Sequence, residues 1–290
     1  MAGSAVTSVP DRRRRRSLLV FPATELRMAR KAAASNADCV IFDLEDAVTL
    51  DKKSQARAVL EEALAEIDFG GKEICVRINS VNSAEFADDV NVVNRLPIHA
   101  VVVPKVETSD DVRTVDAALS GNPGPTLHLA VESPRGLLDC RDFAQASPRV
   151  AALLFGSGDF VAASGFSSDE SALAVPRSLL SLAASSLGID ALDLVFGNVA
   201  DLDGLGRSAA AGRALGYSGK WVIHPGQVNT VNDAFTPNAD EVERAHRTLA
   251  AMSQAQEQGK GAATLDGVLI DEASIRWAEV VVARSAPTVT

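Results

Sequence analysis

No apolar run in the 290 residues approaches the roughly 20 needed to cross a bilayer. The chain is therefore expected neither to span nor to anchor in a membrane. Positive charge is in deficit: 28 Lys and Arg against 38 Asp and Glu give a net charge of −10, which argues against general nucleic-acid binding. Cysteine is scarce. The three residues, Cys39, Cys75 and Cys140, lie far apart and form no CxxC pair. Cys39 and Cys75 sit inside apolar runs and read as small core residues, which suits a reducing cytoplasm and argues against a zinc site. Histidine is equally thin: His99, His128 and His246 join no visible constellation, and His224 before Pro225 reads as a closing residue of the fold. After the first apolar run the chain reads Phe21-Pro22-Ala23-Thr24, so the glycine-rich phosphate fingerprint is missing. Gly156-Ser157-Gly158 lacks the context of a nucleophile elbow, and no Ser-His-Asp order is visible.

One local excess of positive charge stands out, Arg12 to Arg16. It has the composition of a localisation signal or a polyanion-binding arm. A block of like charge behind small residues is more ordinarily a solvated, disordered tail, here residues 1–15. The apolar stretch that follows, Leu18 to Phe21, is too short for a secretory h-region and runs into Pro22.

What the chain does have is alternation. Eight short apolar runs recur: Ser17–Phe21, Cys39–Leu44, Ile74–Ile78, Ala100–Val103, Leu127–Val131, Ala151–Phe155, Leu192–Phe196 and Trp221–Ile223. They are continuous rather than alternating, as strands buried on both faces of a parallel sheet must be. Between them lie amphipathic stretches at 25–34, 52–66, 84–95, 109–119, 137–144, 175–187 and 204–215. Strand and helix in turn predict an α/β chain folded as a (β/α)8 TIM barrel over 16–226. A doubly wound open sheet is the alternative. A polar helical stretch at 239–258, a glycine break and a final segment at 265–284 exceed what the barrel needs. Residues 227–290 thus read as a C-terminal helical extension, a lid or a subunit-exchange element.

Active sites of this fold gather at the C-terminal ends of the strands, and here those ends are charged. The runs finish in Asp43-Leu44-Glu45-Asp46, Arg77-Ile78-Asn79, Pro104-Lys105-Val106-Glu107, Glu132-Ser133-Pro134-Arg135, Gly156-Ser157-Gly158-Asp159, Gly197-Asn198 and His224-Pro225. Polarity of loops explains some of this. It does not explain Asp43, Arg77 and Glu132, which lie inside or flush with apolar runs and must be paired or metal-bound. Glu132 and Asp159 fall on adjacent strands, and two carboxylates with open positions suit a hard cation such as Mg²⁺. Without clustered His and Cys ligands a catalytic zinc site is not expected. Arg77 and Lys105 are placed to grip an anionic substrate or a developing enolate.

In order and spacing these motifs, together with Arg16-Ser17-Leu18-Leu19-Val20-Phe21-Pro22-Ala23, Asp201-Leu202-Asp203-Gly204-Leu205, Gly219-Lys220-Trp221-Val222-Ile223-His224-Pro225 and Leu265-Asp266-Gly267-Val268-Leu269-Ile270-Asp271, carry a resemblance. The chain resembles the HpcH/HpaI aldolase and citrate lyase superfamily, in its citrate lyase beta-subunit-like branch, which includes malyl-CoA and citramalyl-CoA lyases. The resemblance implies Mg²⁺ held by Glu132 and Asp159, and Arg77 on the substrate carboxylate and carbonyl. It further implies Arg16 on the acyl-CoA or its acid, Glu45 and Asp46 around the metal and its waters, and Asp271 reaching a neighbouring subunit's site as acid/base. Such an Asp271 requires a homo-oligomer, a trimer by resemblance. Three positions depart from the pattern: Ala23 replaces a glycine, Asn198 an aspartate, and the sixth-strand loop lacks an extra acidic residue.

The implied chemistry is Claisen-type cleavage or formation of a 3-hydroxyacyl-CoA such as citryl-, malyl- or citramalyl-CoA, with acyl-CoA and 2-oxo or 2-hydroxy acids as the partners. A CoA-independent aldolase would use the same metal site, but the 265–271 motif favours the CoA branch. A malyl-CoA thioesterase or a malate synthase-like activity would share the enolate chemistry. A non-catalytic subunit would not need its acidic pair intact.

Overall fold

The computed structural model describes residues 13–121 and 124–285. Eight parallel strands close into a barrel in sequence order. They are β1 (Ser17–Pro22), β2 (Cys39–Asp43), β3 (Glu73–Arg77), β4 (Ala100–Val103), β5 (Thr126–Val131), β6 (Val150–Phe155), β7 (Asp190–Asp193) and β8 (Gly219–Val222). β8 pairs with β1 to shut the sheet. Helices cover the outside: α1 (Leu26–Ala33), α2 (Lys53–Glu66), α3 (Phe86–Val93), α4 (Ser109–Ala118), α5 (Pro134–Phe143), α6 (Ser157–Ser164), α7 (Ala174–Leu187), α8 (Leu202–Ala214) and α9 (Val228–Phe235). The expected (β/α)8 barrel is therefore the fold.

Strand parity explains where the core divides. Leu18, Ile41, Val102, Leu154, Leu192 and Trp221 point into the barrel with small residues such as Ala100, Ala130 and Ala152. Their neighbours Leu19, Val40, Phe42, Val101, Leu129 and Leu153 point outward into the larger core beneath the helices. Successive side chains alternate across a strand. The same parity that turns Ile41, Cys75 and Ala130 inward therefore turns Asp43, Arg77 and Glu132 inward one step further on, at the C-terminal rim.

Two elements differ from the sequence reading for one physical reason. β7 begins at Asp190 rather than Leu192, because its carboxylates are neutralised in place. Asp190 accepts from Arg15 at 2.7 Å and Ser218 at 2.9 Å. Asp193 faces outward and accepts from Arg177 and Lys220 at 2.7 and 2.9 Å. Paired in this way, charged groups can be buried. The second element is the basic run. Arg15, assigned to a disordered tail, is only 8 % exposed and binds Glu73 through Nε and Nη2 at 2.6 and 2.7 Å. Residues 1–12 of that tail lie outside the described residues.

The compact barrel unit runs from Arg15 to Phe235, so it takes in α9, which the sequence reading gave to the extension. The C-terminal unit has its own elements: α10 (Ala239–Glu257), a hairpin of β9 (Ala263–Leu265) and β10 (Val268–Ile270), and α11 (Glu272–Ser285). Asp266 and Gly267 turn the hairpin with φ of 52° and 79°, the left-handed pair that a tight two-residue hairpin turn needs. Ala245, Ala278 and Val281 pack α10 on α11. No helix among the described residues is long and apolar enough to cross a membrane.

Candidate active site

The barrel mouth is organised around an ion pair that the strand register creates. Asp43 and Arg77 are direct partners across β2 and β3. Arg77 donates from Nε to Asp43 Oδ1 at 2.8 Å and from Nη2 to Oδ2, a bidentate geometry. Asp43 also accepts from the backbone N–H of Glu45 and Ala47 at 2.8 and 3.2 Å, which folds the chain after β2 back over the rim. From inside the barrel the Trp221 ring lies 5.6 Å from the guanidinium, within reach of a cation–π contact. Burial alone would lower the Arg77 pKa, but Asp43, Glu45 and Glu132 outweigh it and raise it, so Arg77 stays charged.

A second layer holds the loop after β2. Lys53, buried at the start of α2, donates Nζ to the carbonyls of Leu44 and Glu45 and to Asn79 Oδ1 at 2.7–2.8 Å. Asn79 in turn donates to Leu44 O and to Asp89 at 2.9 and 2.6 Å. Lys53 and Asn79 use all their side-chain donors here, which offsets their burial and fixes the backbone that carries Glu45 and Asp46. Glu45 is buried and touches Lys105 Nζ; its other oxygen lies 3.2 Å from Arg77 Nη1, off-line for a hydrogen bond, and is unpartnered. Burial raises the Glu45 pKa against the pull of Arg77. Asp46 binds the same ammonium at 2.9 and 3.0 Å. Burial, the largest single influence, would raise its pKa too, but the hydrogen bond and charge of Lys105, with Arg77 and Glu45, together outweigh it and lower it.

Lys105 follows β4 with φ 53°, in the left-handed region that non-glycine residues seldom enter. The strain aims its backbone N–H at Glu132 Oε2, 3.0 Å away, and its ammonium at Glu45, Asp46 and, at 3.8 Å, Asp159. Glu132 is 6 % exposed. Burial first, then the neighbouring charge of Glu45, pushes its pKa up to about 8. Glycine at 156 is a packing requirement, because a Cβ there would overlap the Glu132 side chain. The chain then enters α6, whose first turn carries Asp159 beside the same lysine.

Glu45, Asp46, Lys105, Glu132, Asp159 and Arg77 thus come together at the C-terminal rim. Within the barrel unit, one other expected residue does not join them. Arg16 precedes β1, at the opposite end of the barrel, where it binds Asp38 through Nε and Nη2 at 2.8 and 2.7 Å. Five or six residues of strand at about 3.3 Å each separate it from the mouth. Arg16 thus lies at the base of the barrel, away from the residues gathered at the mouth. Asp271 belongs to the C-terminal unit, where it is exposed and caps α11 by accepting from the backbone N–H of Ala273 and Ser274 at 3.0 and 3.3 Å.

Sequence reasoning passed over Lys53 and a groove of about 630 Å³ lined by Phe21, Pro22, Arg27, Lys31, His224 and Asn229. The groove lies where β1 and β8 end. Its signal was present: Arg27 and Lys31 fall four apart on α1 and so share one face.

The site fits a divalent cation. Glu132 and Asp159 present carboxylate oxygens, and the raised pKa of Glu132, caused by burial and by the neighbouring Glu45 and Asp159 carboxylates, marks a surplus of negative charge. Oxygen donors of this kind suit Mg²⁺. Carboxylates, an arginine and a lysine converging on the C-terminal rim of a (β/α)8 barrel define a barrel-enzyme site. The sequence model of the HpcH/HpaI aldolase/citrate lyase family matches residues 16–225, and the chain belongs to that family. It is 34 % identical to a (3S)-malyl-CoA thioesterase of Cereibacter sphaeroides over 93 % of this chain and 94 % of that one. It is 32 % identical to the mitochondrial citramalyl-CoA lyase of Homo sapiens, over 91 % and 84 % of the two chains. The crystal structure of CitE from Mycobacterium tuberculosis in complex with magnesium, acetoacetate and coenzyme A superposes with a TM-score of 0.78 at 30 % identity, covering 93 % of this chain and 97 % of that one.

Proposed function

We propose that this chain is a Mg²⁺-dependent carbon–carbon lyase that cleaves, or forms, a 3-hydroxyacyl-CoA of the citryl, malyl or citramalyl type. The carrying observation is Glu132, a buried carboxylate raised to about 8 by burial and Glu45, with Asp159 beside it. Glu132 and Asp159 would hold the metal, and bound Mg²⁺ would supply positive charge beside the carboxylate and adjacent oxygen of a 2-oxo acid. Arg77, fixed by Asp43, presents a guanidinium to the same oxygens and offsets charge that grows as the C–C bond breaks. Lys105 positions Glu45 and Asp46 and adds a second cation at the rim. The groove at Arg27 and Lys31 suits the phosphates of a CoA moiety.

Asp271 is proposed as the acid/base, delivered by a neighbouring copy in a homotrimer, the state the resemblance implies. Apolar side chains left exposed support self-association: Leu138 on α5, Val175, Leu179 and Leu182 on α7, and Leu269 and Trp277 in the C-terminal unit. The C-terminal unit would serve as the lid. The three unpaired cysteines fit a cytoplasmic setting.

The test is a panel of citryl-, malyl-, citramalyl- and methylmalyl-CoA thioesters with Mg²⁺ and the full chain. Release of a free oxo acid with an acyl-CoA is expected from at least one. Release from none of them, in either direction, overturns the proposal. The (3S)-malyl-CoA thioesterase relative favours hydrolysis as a second reading; it would give free CoA thiol and the hydroxy acid without any oxo acid.

A further inference from the structure

The closed end of the barrel holds a second group of chemistry-bearing side chains that the mouth does not use. Cys39 on β2 and Cys75 on β3 are 36 residues apart in sequence, and their Sγ atoms lie 3.2 Å apart. A carboxylate oxygen of Glu73, on the same face of β3 as Cys75, lies within 4.8 Å of both sulfurs. His128 on β5 points inward by the parity it shares with Ala130. Its Nε2 is 3.9 Å from Glu73 Oε1, yet neither ring nitrogen makes a hydrogen bond, although the residue is fully buried. A buried polar group without a partner costs free energy that a ligand would recover.

We propose that Cys39, Cys75, His128 and Glu73 form a four-coordinate site for a zinc-class divalent metal at the base of the barrel, separate from the carboxylate pair at the mouth. Two sulfurs, one nitrogen and one oxygen are a donor set that zinc-class ions take and Mg²⁺ does not. Metal–sulfur bonds of about 2.3 Å in a tetrahedron put the sulfurs roughly 3.8 Å apart. The sulfurs must part from their present 3.2 Å, and the His128 ring, which lies outside the group that the two sulfurs and Glu73 form within 4.8 Å, must turn toward them to complete the shell. Loading breaks two S–H bonds and forms two metal–sulfur bonds. The two protons leave to solvent and the metal keeps its oxidation state, so no oxidant or reductant is needed. Two thiolates offset the two charges of the ion, and the net charge of the buried group does not change.

Arg15 shapes this site from outside the ligand shell. It holds both oxygens of Glu73 at 2.6 and 2.7 Å and Asp190 at 2.7 Å. Glu73 therefore reaches the metal through a remaining lone pair while its orientation stays fixed, as carboxylate ligands usually are by a hydrogen-bonded neighbour. The ligands come from three strands, so the ion would staple β2, β3 and β5. Because all four ligands are buried, the metal enters as the barrel folds.

The test refolds the full chain from denaturant with Co²⁺ as the probe, in buffer containing Mg²⁺. One tightly held cobalt per chain is expected, with a sulfur-to-cobalt charge-transfer band and the visible spectrum of a tetrahedral ion. The band should persist in E132Q, which disables the mouth, and vanish in C39A and in C75A. No bound cobalt, cobalt without a sulfur band, or a band that survives both alanine variants overturns the proposal. If those variants do not fold, X-ray absorption on the cobalt-loaded wild-type chain decides: two sulfurs in the shell support the site, and only oxygen and nitrogen overturn it.

Discussion

A glutamate that ordinarily loses its proton near pH 4.5 keeps it to about 8 at position 132, chiefly because it is buried and then because Glu45 is near. Between those two pH values the folded chain binds a proton that the unfolded chain has released. Stability of the metal-free protein should therefore fall as pH rises from about 4.5 to about 8. In EDTA, E132Q should flatten that slope and exceed the wild type at the alkaline end by on the order of a few kcal/mol, measured by urea unfolding. The same proton competes with metal. Apparent Mg²⁺ affinity should climb with pH up to about 8 and then level, as calorimetric titration would read. Gly156 tests the packing beside it: in G156A the added Cβ displaces the Glu132 side chain, and kcat/KM should drop on the order of 100-fold.

Strands and helices separate what the sequence displays from what only folding reveals. β4 is purely apolar and β2 apolar until Asp43, and both were legible within a residue. β7 was legible only in part: the run Leu192–Phe196 holds Asp193 but leaves out Asp190, whose carboxylate looks out of place in a strand until Arg15 is found beside it. The rim charges Asp43, Arg77 and Glu132 stood out because they interrupt apolar runs. Lys53 did not, because a lysine opening a helix looks solvated and its three acceptors lie in other segments. Cys39 and Cys75 looked inert for the same reason, since their proximity depends on the pairing of β2 with β3. Arg15 and Arg16 are adjacent in sequence, but each has its own place at the barrel base. R15A leaves the buried Glu73 and Asp190 without their cation and should cost about 3–5 kcal/mol in urea unfolding. R16A, distant from the mouth, should leave the KM for the thioester unchanged.

The whole molecule is a family barrel with a C-terminal unit that carries the proposed acid/base. If Asp271 serves a neighbouring copy, E132A and D271A homo-oligomers are each inactive, and mixing their subunits restores activity up to about a quarter of the wild-type level, because only sites that draw both residues intact turn over. A monomer with full activity would contradict that arrangement. As proposed, Glu132 and Asp159 together bind Mg²⁺ and, through it, a 2-oxo acid. Thermal unfolding of the wild type, E132Q and D159N, with and without excess Mg²⁺ and pyruvate or oxaloacetate, tests it most directly. Ligand at about 100 times its Kd stabilises the native state by about 2.7 kcal/mol, a Tm rise of a few degrees for a chain of this size. The account predicts that rise in the wild type and its loss in both variants; an equal rise in all three would contradict it.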